Sequence, residues 1–289
     1  MKRNNDFKNM KFGSLILQFI LVWIVTFSFF AFIQSVLGIN MNFFFSATLH
    51  IVIILLIIRK FNKHRISLRQ ITGDLSLHKL PWLKLFSIQA LLIVFAVLSI
   101  IAIFFIIGLF DSNFYKELLT EEITHTNNSA QLIILTYILS FTLVPIMEEL
   151  LFRGYLFNKW GENFGILKAM IFCSILFSLL HWNTGFISHF ILGVFCCMAY
   201  VKTKRLIVPM LLHAVNNIIA GTYMLFPTEL DTTYEEEALT QFIIEMQIAF
   251  KIGALLFIVL VPIVCYVLYR YYKGLPKVTP YQLNQNQNI

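Results

Sequence analysis

The chain has 289 residues, 58% of them hydrophobic and 13% charged, with 30 Phe and a mean hydropathy of +0.78; an ordinary soluble domain carries about 25% charged residues, so a soluble globule is excluded. A bilayer-spanning helix takes about 20 residues, and this composition leaves room for roughly eight of them. The net charge of +7, from 22 Lys and Arg against 15 Asp and Glu, would suggest nucleic acid only if the cations formed a patch on a soluble fold, and their placement along the chain argues for a topological cause instead.

Eight apolar segments follow one another at about 12–37, 43–58, 85–110, 130–158, 166–182, 186–201, 206–226 and 248–269. The first is preceded by Lys2, Arg3, Lys8 and Lys11, as a signal peptide would be, but it is too long for such a segment and has no small-residue cleavage site. It is expected to remain as a transmembrane helix. After the second segment comes a basic stretch, Arg59 to Lys84, with Pro81 and Trp82 near its end; it is expected to lie along the membrane surface. The tail from Gly274 to Ile289 is polar and rich in Asn and Gln, which predicts disorder. Cys173, Cys196, Cys197 and Cys265 all fall in apolar runs, so they predict packing residues and no disulfide framework.

Of the 22 lysines and arginines, 20 fall in alternate loops counted from the N-terminus; Lys116 and Lys251 are the exceptions. The opposite loops collect Asp111, Glu117, Glu121, Glu122, Glu229, Asp231 and Glu235 to Glu237. The positive-inside rule then puts both termini in the cytoplasm. The expected fold is all-α, a polytopic membrane protein of about eight transmembrane helices with cytoplasmic N- and C-termini. The basic excess is explained by anionic headgroups, and no nucleic-acid partner is expected. No internal repeat of the transporter kind is found.

Ionisable side chains inside a span are costly, so each is a functional candidate. They concentrate in three segments: Glu148, Glu149 and Arg153 in the fourth, His181 at the end of the fifth, and His213, Asn216 and Asn217 in the seventh. Glu149 and Arg153 are spaced i,i+4 and predict an intrahelical ion pair, whereas Glu148 points about 100° away and stays free for chemistry. Phe177 and His181, and His213 and Asn217, share the same spacing. At 1.5 Å per residue from the nearest basic residue, Glu148, His181, His213 and Asn217 lie between about 12 and 20 Å deep. A carboxylate, two imidazoles and an amide at one level can activate a water and stabilise an oxyanion, or hold a metal. His50 and His189 lack a partner motif and are expected to be packing residues.

Glu148-Glu149-Leu150-Leu151-Phe152-Arg153 reads EExxxR, Phe177 to His181 reads FxxxH, and His213 to Asn217 reads HxxxN. In this order, on membrane helices, they resemble the CAAX-protease and bacteriocin-processing family of intramembrane endopeptidases, also called the ABI or type II CAAX prenyl endopeptidase family. The resemblance covers about Leu132 to Phe226, with Phe190-Ile191-Leu192-Gly193 and Pro209-Met210-Leu211-Leu212 included. There is no HExxH zinc motif and no GxSG serine motif, and the sole Gly-Asp, Gly73-Asp74, lies between spans.

The resemblance implies that Glu148 and His181 bind and activate a water, Glu148 acting as general base, while His213 and Asn217 stabilise the oxyanion. Glu149, Arg153 and Phe177 would be structural support. The family is described both as metalloproteases and as metal-independent glutamate proteases. Glu148, His181 and His213 could supply three zinc ligands, but Glu148 would then not be free to serve as base. The implied substrate is a membrane-associated peptide or a lipidated precursor at the lipid bilayer, and a bacterial plasma membrane is favoured. Three regions are expected: 1–129, a three-helix membrane region with a basic cytoplasmic loop; 130–226, the four-helix catalytic core; and 227–289, an outer acidic loop, the last transmembrane helix and the polar cytoplasmic tail. The alternatives are a non-proteolytic immunity or scaffold member of the family, and a transporter or proton pathway through the same polar cluster.

Overall fold

A computed structural model describes residues 7, 10–111, 113–115, 130–222 and 236–285, and among these no strand is found. The acidic loop residues from Lys116 to Glu122 and from Glu229 to Glu235 lie outside the described residues. In chain order the helices are α1 (Phe12–Leu37), α2 (Asn42–Lys63), α3 (Leu68–Thr72), α4 (Trp82–Phe110), α5 (Ala130–Phe164), α6 (Ile166–Leu180), α7 (Trp182–Thr203), α8 (Ile207–Gly221), α9 (Glu236–Tyr272) and α10 (Pro280–Gln285). Six are long and apolar enough to cross a membrane: α1, α2, α4, α5, and the spans Gly185–Thr203 and Thr240–Tyr272 within α7 and α9. Two expected spans, α6 and α8, are apolar but only 15 residues each, or about 22 Å at the helical rise. The chain is an integral multi-pass membrane protein, and the short pair is packed among the longer helices.

Local chemistry explains where the helices stop. Gly38 closes α1 in the left-handed conformation, its N–H bonded to the Gln34 carbonyl at 2.9 Å, a position where a side chain would be strained. Ser67 and Gln70 form a reciprocal capping box at the start of α3. In α5 the expected single helix is interrupted. Pro145 cannot donate to the carbonyl of Phe141 and its ring crowds that oxygen, so the α-helical piece Ala130–Phe141 ends and a second, Leu143–Glu149, begins beyond Thr142. Leu150–Phe157 is then wound as a π-helix before Asn158–Phe164 resumes α geometry.

The widened π turn is held by Asn158, whose side-chain amide donates to the carbonyls of Arg153 at 3.1 Å and Gly154 at 2.9 Å. Tyr155 and Phe61 are fully buried here and join Phe7 in an aromatic cluster, while the buried Phe157 meets the Tyr200 ring at 6.4 Å. Elsewhere α4 packs along α9 with Phe95 against Phe257 at 5.1 Å, and α6 packs along α7. Glycine makes the second contact possible, because a Cβ on Gly193 would come within 3.0 to 3.1 Å of Ser174.

One expectation about the basic end, the disordered tail, is corrected. The stretch between α2 and α4 is docked on the bundle: Tyr200 donates to the Ile71 carbonyl at 2.6 Å, Leu206 N–H to the Thr72 carbonyl at 2.9 Å, and Arg205 pairs with Asp74 at 2.9 Å. The tail is ordered through Gln285. Its helix α10 buries Tyr281 edge-on against Phe7 at 4.8 Å, and Asn284 donates to Gln70 and Lys204 carbonyls. Polarity misleads at this place, since the buried Asn284 amide satisfies backbone carbonyls of two other elements and does not stay in water.

These contacts, with Lys159 donating to the carbonyls of Phe7 and Met10, gather the N-terminus, the α2–α4 stretch, the end of α5, the α7–α8 turn and the tail at one end of the molecule. They are the basic segments of the sequence count.

Candidate active site

Glu148 and Glu149 are the last residues before the π-helical stretch, and a π turn beside chemistry-bearing residues is a common accompaniment of functional sites. Adjacent positions on the helix send the two carboxylates in different directions. Glu149 is fully buried and pairs with Arg153, Nη1 to Oε1 at 2.8 Å. The i,i+4 ion pair read from the sequence is present. Arg153 is itself 1% exposed, donates through Nη2 to the Gly193 carbonyl at 3.0 Å, and lies over the Phe177 ring at 4.9 Å. A buried guanidinium needs this much partnership, because an unpaired one costs several kcal/mol.

Glu149 has a second task that spacing alone does not disclose. The same Oε1 that accepts from Arg153 also lies 3.0 Å from His213 Nδ1. A carboxylate partnered to a guanidinium is ionised and accepts only, so His213 carries its proton on Nδ1 and presents the Nε2 lone pair. That nitrogen faces Glu148, at 3.6 Å from Oε2.

His181 is arranged in the same way from the other side. It caps α6, and its Nδ1 lies 2.8 Å from the Phe177 carbonyl four residues earlier. A carbonyl only accepts, so Nδ1 again donates and Nε2 is turned to Glu148, 3.7 Å from Oε1. Both Nε2 distances are beyond a direct hydrogen bond. Glu148 therefore sits between two imidazole lone pairs, partly exposed at 13%, with Oε2 buried and lacking a hydrogen-bond partner among the described residues. Phe177 is the hub beneath them: its ring touches those of His181 at 4.6 Å and His213 at 5.6 Å as well as the Arg153 guanidinium.

Two residues have contacts that spacing did not disclose. Asn217, expected to stabilise the oxyanion with His213, donates from Nδ2 to the Ser140 carbonyl at 2.8 Å; it staples α8 to the kinked end of Ala130–Phe141, next to the Tyr137 bond to the Ile218 carbonyl at 2.9 Å. His189, expected to be a packing residue, stacks on His181 with ring centroids 4.4 Å apart and planes 10° apart. The turn that brings it there is at Gly185, where φ is +118°, a backbone state open to glycine. No helical register carries across such a break, so spacing could not have found the stack. His50 agrees with its packing role, with Nδ1 bonded 2.6 Å from the Ser46 carbonyl within α2.

Among the described residues no group of three or more His, Cys, Asp and Glu side chains is arranged to hold a metal ion. The two oxygens of Glu148 face different rings, and His213 and His181 are each oriented by an acceptor on Nδ1, an orientation that suits a metal-ligating imidazole as well as a metal-free one. The arrangement suits acid–base work on a water or on a polarised carbonyl, with one ionised carboxylate buried behind the site and one poised at its front.

The comparisons with known proteins point the same way. Residues 130–219 match the family model described as Type II CAAX prenyl endopeptidase Rce1-like. Among curated proteins, the membrane-embedded CAAX protease MroQ of Staphylococcus aureus (strain USA300) is 36% identical over 92 residues, 29% of this chain and 37% of that protein. YdiL of Bacillus subtilis (strain 168), named there as a proposed membrane peptidase, is 29% identical over 115 residues, 38% of this chain and 45% of that protein. The chain thus spans about two fifths of the length of these relatives. No solved structure matches it. The matched segment holds all three motifs and every residue that surrounds Glu148 from α5, α6 and α8, so the resemblance carried by the motifs is borne out: over residues 130–219 this membrane protein is similar to the type II CAAX prenyl endopeptidase Rce1-like family.

Proposed function

We propose that the protein is an intramembrane endopeptidase of the glutamate type that cleaves a membrane-associated peptide or lipidated precursor, in a bacterial plasma membrane. The observation that carries this reading is the position of Glu148 between the Nε2 atoms of His181 and His213, at 3.7 and 3.6 Å. The similarity to a CAAX protease and to a membrane peptidase, both bacterial, supports the reaction class and the membrane.

In this mechanism a water lies between Glu148 and the imidazoles. Glu148 takes one proton from it, and the resulting hydroxide attacks the scissile carbonyl carbon. Negative charge moves to the carbonyl oxygen, where His213 Nε2, taking up the proton that Glu148 removed from the water, donates to it. The ionised Glu149 on its Nδ1 favours that imidazolium, as a buried carboxylate behind a catalytic histidine does elsewhere. Collapse breaks the C–N bond, and the same proton passes back through Glu148 to the leaving amine. Asn217 joins the oxyanion site through its second amide N–H. His181, braced by Phe177 and by the His189 ring, orients the water.

The test is Glu148→Gln in cells, with small membrane-associated peptides read by mass spectrometry. Gln keeps the shape and loses the proton acceptor, so processing is expected to fall by at least about 100-fold, the usual contribution of general-base catalysis, at normal protein abundance. Undiminished processing would refute the protease reading and favour an immunity, scaffold or transport role. The zinc question is answered separately: purified wild type is expected to be active with far less than one zinc per chain by elemental analysis, whereas one zinc lost together with activity in His213→Ala would establish a metalloprotease.

A further inference from the structure

A second cavity, of about 680 Å³, lies at the basic end between the α3–α4 connection and the α7–α8 turn, and the proposed reaction does not use it. Arg69, Lys79, Lys202, Lys204 and Arg205 line it, against one carboxylate, Asp74. Asp74 is committed to Arg205 at 2.9 Å, and Arg205 is further fixed by the carbonyls of Ser76 and His78. Four cations therefore face the cavity with no acid of their own in its wall.

A positively charged, solvated face would be the bland explanation, since the positive-inside rule supplies cations to this side. The backbone argues for more. Lys79 and Lys204 both hold φ near +60°, a left-handed conformation that is unfavourable for a residue with a side chain and that recurs at ligand clamps. The Lys204 position is enforced from two sides. A Cβ on Gly73 would collide with the Lys204 carbonyl oxygen, and Asn284 from the tail donates to that carbonyl at 3.2 Å. Two strained lysines on opposite elements are thus held against one cavity by fitted neighbours.

The remaining surroundings are apolar. Leu80 and Pro81 form part of the wall. Beside them Leu75, Leu77 and Leu83 are exposed at 64%, 47% and 85%, on and just after a connection outside the spanning helices, and the Trp82 indole donates to the Leu77 carbonyl at 3.1 Å. Leucines turned outward around a tryptophan at the start of a span belong at the headgroup level of a bilayer. A cationic cavity rimmed by such residues has the two halves of an amphiphile's environment, charge for a headgroup and apolar surface for the chains.

We propose that this cavity binds the phosphate of an anionic phospholipid headgroup, with the exposed leucines against its acyl chains. The shared chemistry is a phosphate, which free inorganic phosphate could also supply. The test uses purified, delipidated full-length protein in detergent and native mass spectrometry. Dioleoyl phosphatidylglycerol, dioleoyl phosphatidylcholine and inorganic phosphate are titrated separately. Phosphatidylglycerol is expected to bind at least about tenfold more tightly than phosphatidylcholine, and Arg69→Gln/Lys79→Gln, both exposed in the wild type, is expected to weaken it about 30-fold, the attraction of two surface cations. Lys204→Asn, which tolerates the left-handed backbone, is expected to weaken it as well; if that variant fails to fold, the exposed pair decides. Equal binding of the two lipids, or unchanged binding by the folded variants, overturns the site. Inorganic phosphate binding as tightly as the lipid would keep the phosphate chemistry and overturn the lipid as its source.

Discussion

At the scale of single residues, Glu148 and Glu149 are chemically identical and adjacent, and the helix gives them opposite fates. Glu149 is sealed behind the site with a guanidinium and an imidazole on one oxygen, while Glu148 meets two lone pairs at its opening. Glu149→Gln would leave Arg153 without its counter-charge and put a neutral amide, which can donate as well as accept, where an acceptor-only carboxylate sets the His213 tautomer. The expected result is lower protein abundance, by about 3 to 5 kcal/mol of stability for breaking a buried pair, together with lost activity. Glu148→Gln should leave the thermal unfolding midpoint in detergent close to wild type. Equal midpoints for the two variants would mean that Glu149 is not the structural member of the pair. The i,i+4 half of this division was legible in the sequence, but the His213 half was not, because α8 follows α5 by more than forty residues and only packing decides which ring meets which carboxylate.

At the scale of elements, the site depends on helices that deviate from ideal geometry. Pro145 breaks α5, the π turn follows Glu149, and Gly185 bends the start of α7 so that His189 covers His181. The contact that locks α6 to α7 passes through Gly193, which also gives its carbonyl to Arg153. Gly193→Ala would drive a methyl group into Ser174, backbone included, and push the two helices apart. Overpacking of this kind costs about 1 to 3 kcal/mol, so a lower thermal midpoint in detergent is expected, with activity reduced through the displaced Arg153. An unchanged midpoint would show that the interface gives way without strain. The apolar periodicity located these helices to within a few residues. It could not disclose the breaks, since a proline or glycine marks where a break is allowed and the neighbours decide how it is used.

At the scale of the whole molecule, the basic end is a second organised region. Segments separated by more than a hundred residues meet there: Phe7 with Tyr281, Ile71 with Tyr200, Gln70 with Asn284. Deleting residues 275–289 would uncover Phe7 and Asn158 and free the carbonyls of Gln70 and Lys204. Removing a fully buried aromatic side chain costs about 3 to 5 kcal/mol. The truncated protein is therefore expected to lose thermal stability and abundance even though no residue near Glu148 is removed. Wild-type stability of the truncated chain would mean that α10 is only loosely docked. This dependence runs against the polar composition of the tail, which predicts disorder, whereas Asn284 is buried and serves the carbonyls of Gln70 and Lys204.

The sequence by itself determined the class of the molecule, because a bilayer accepts only long apolar helices and the chain is little else between its basic loops. It determined the chemistry available as well, since charges inside apolar segments are too costly to be incidental and three motifs hold nearly all of them. It also carried the family resemblance, which is a property of residue order. Tertiary structure decided the rest. It assigned Glu149 to His213, stacked His189 on His181, turned Asn217 to Ser140, and folded the tail onto the basic end. Each of these joins residues on different elements across a kink or a short connection. Helical spacing fixes relations within about one turn of a residue, whereas contacts between helices depend on crossing angles and side-chain volumes that only the packed bundle sets.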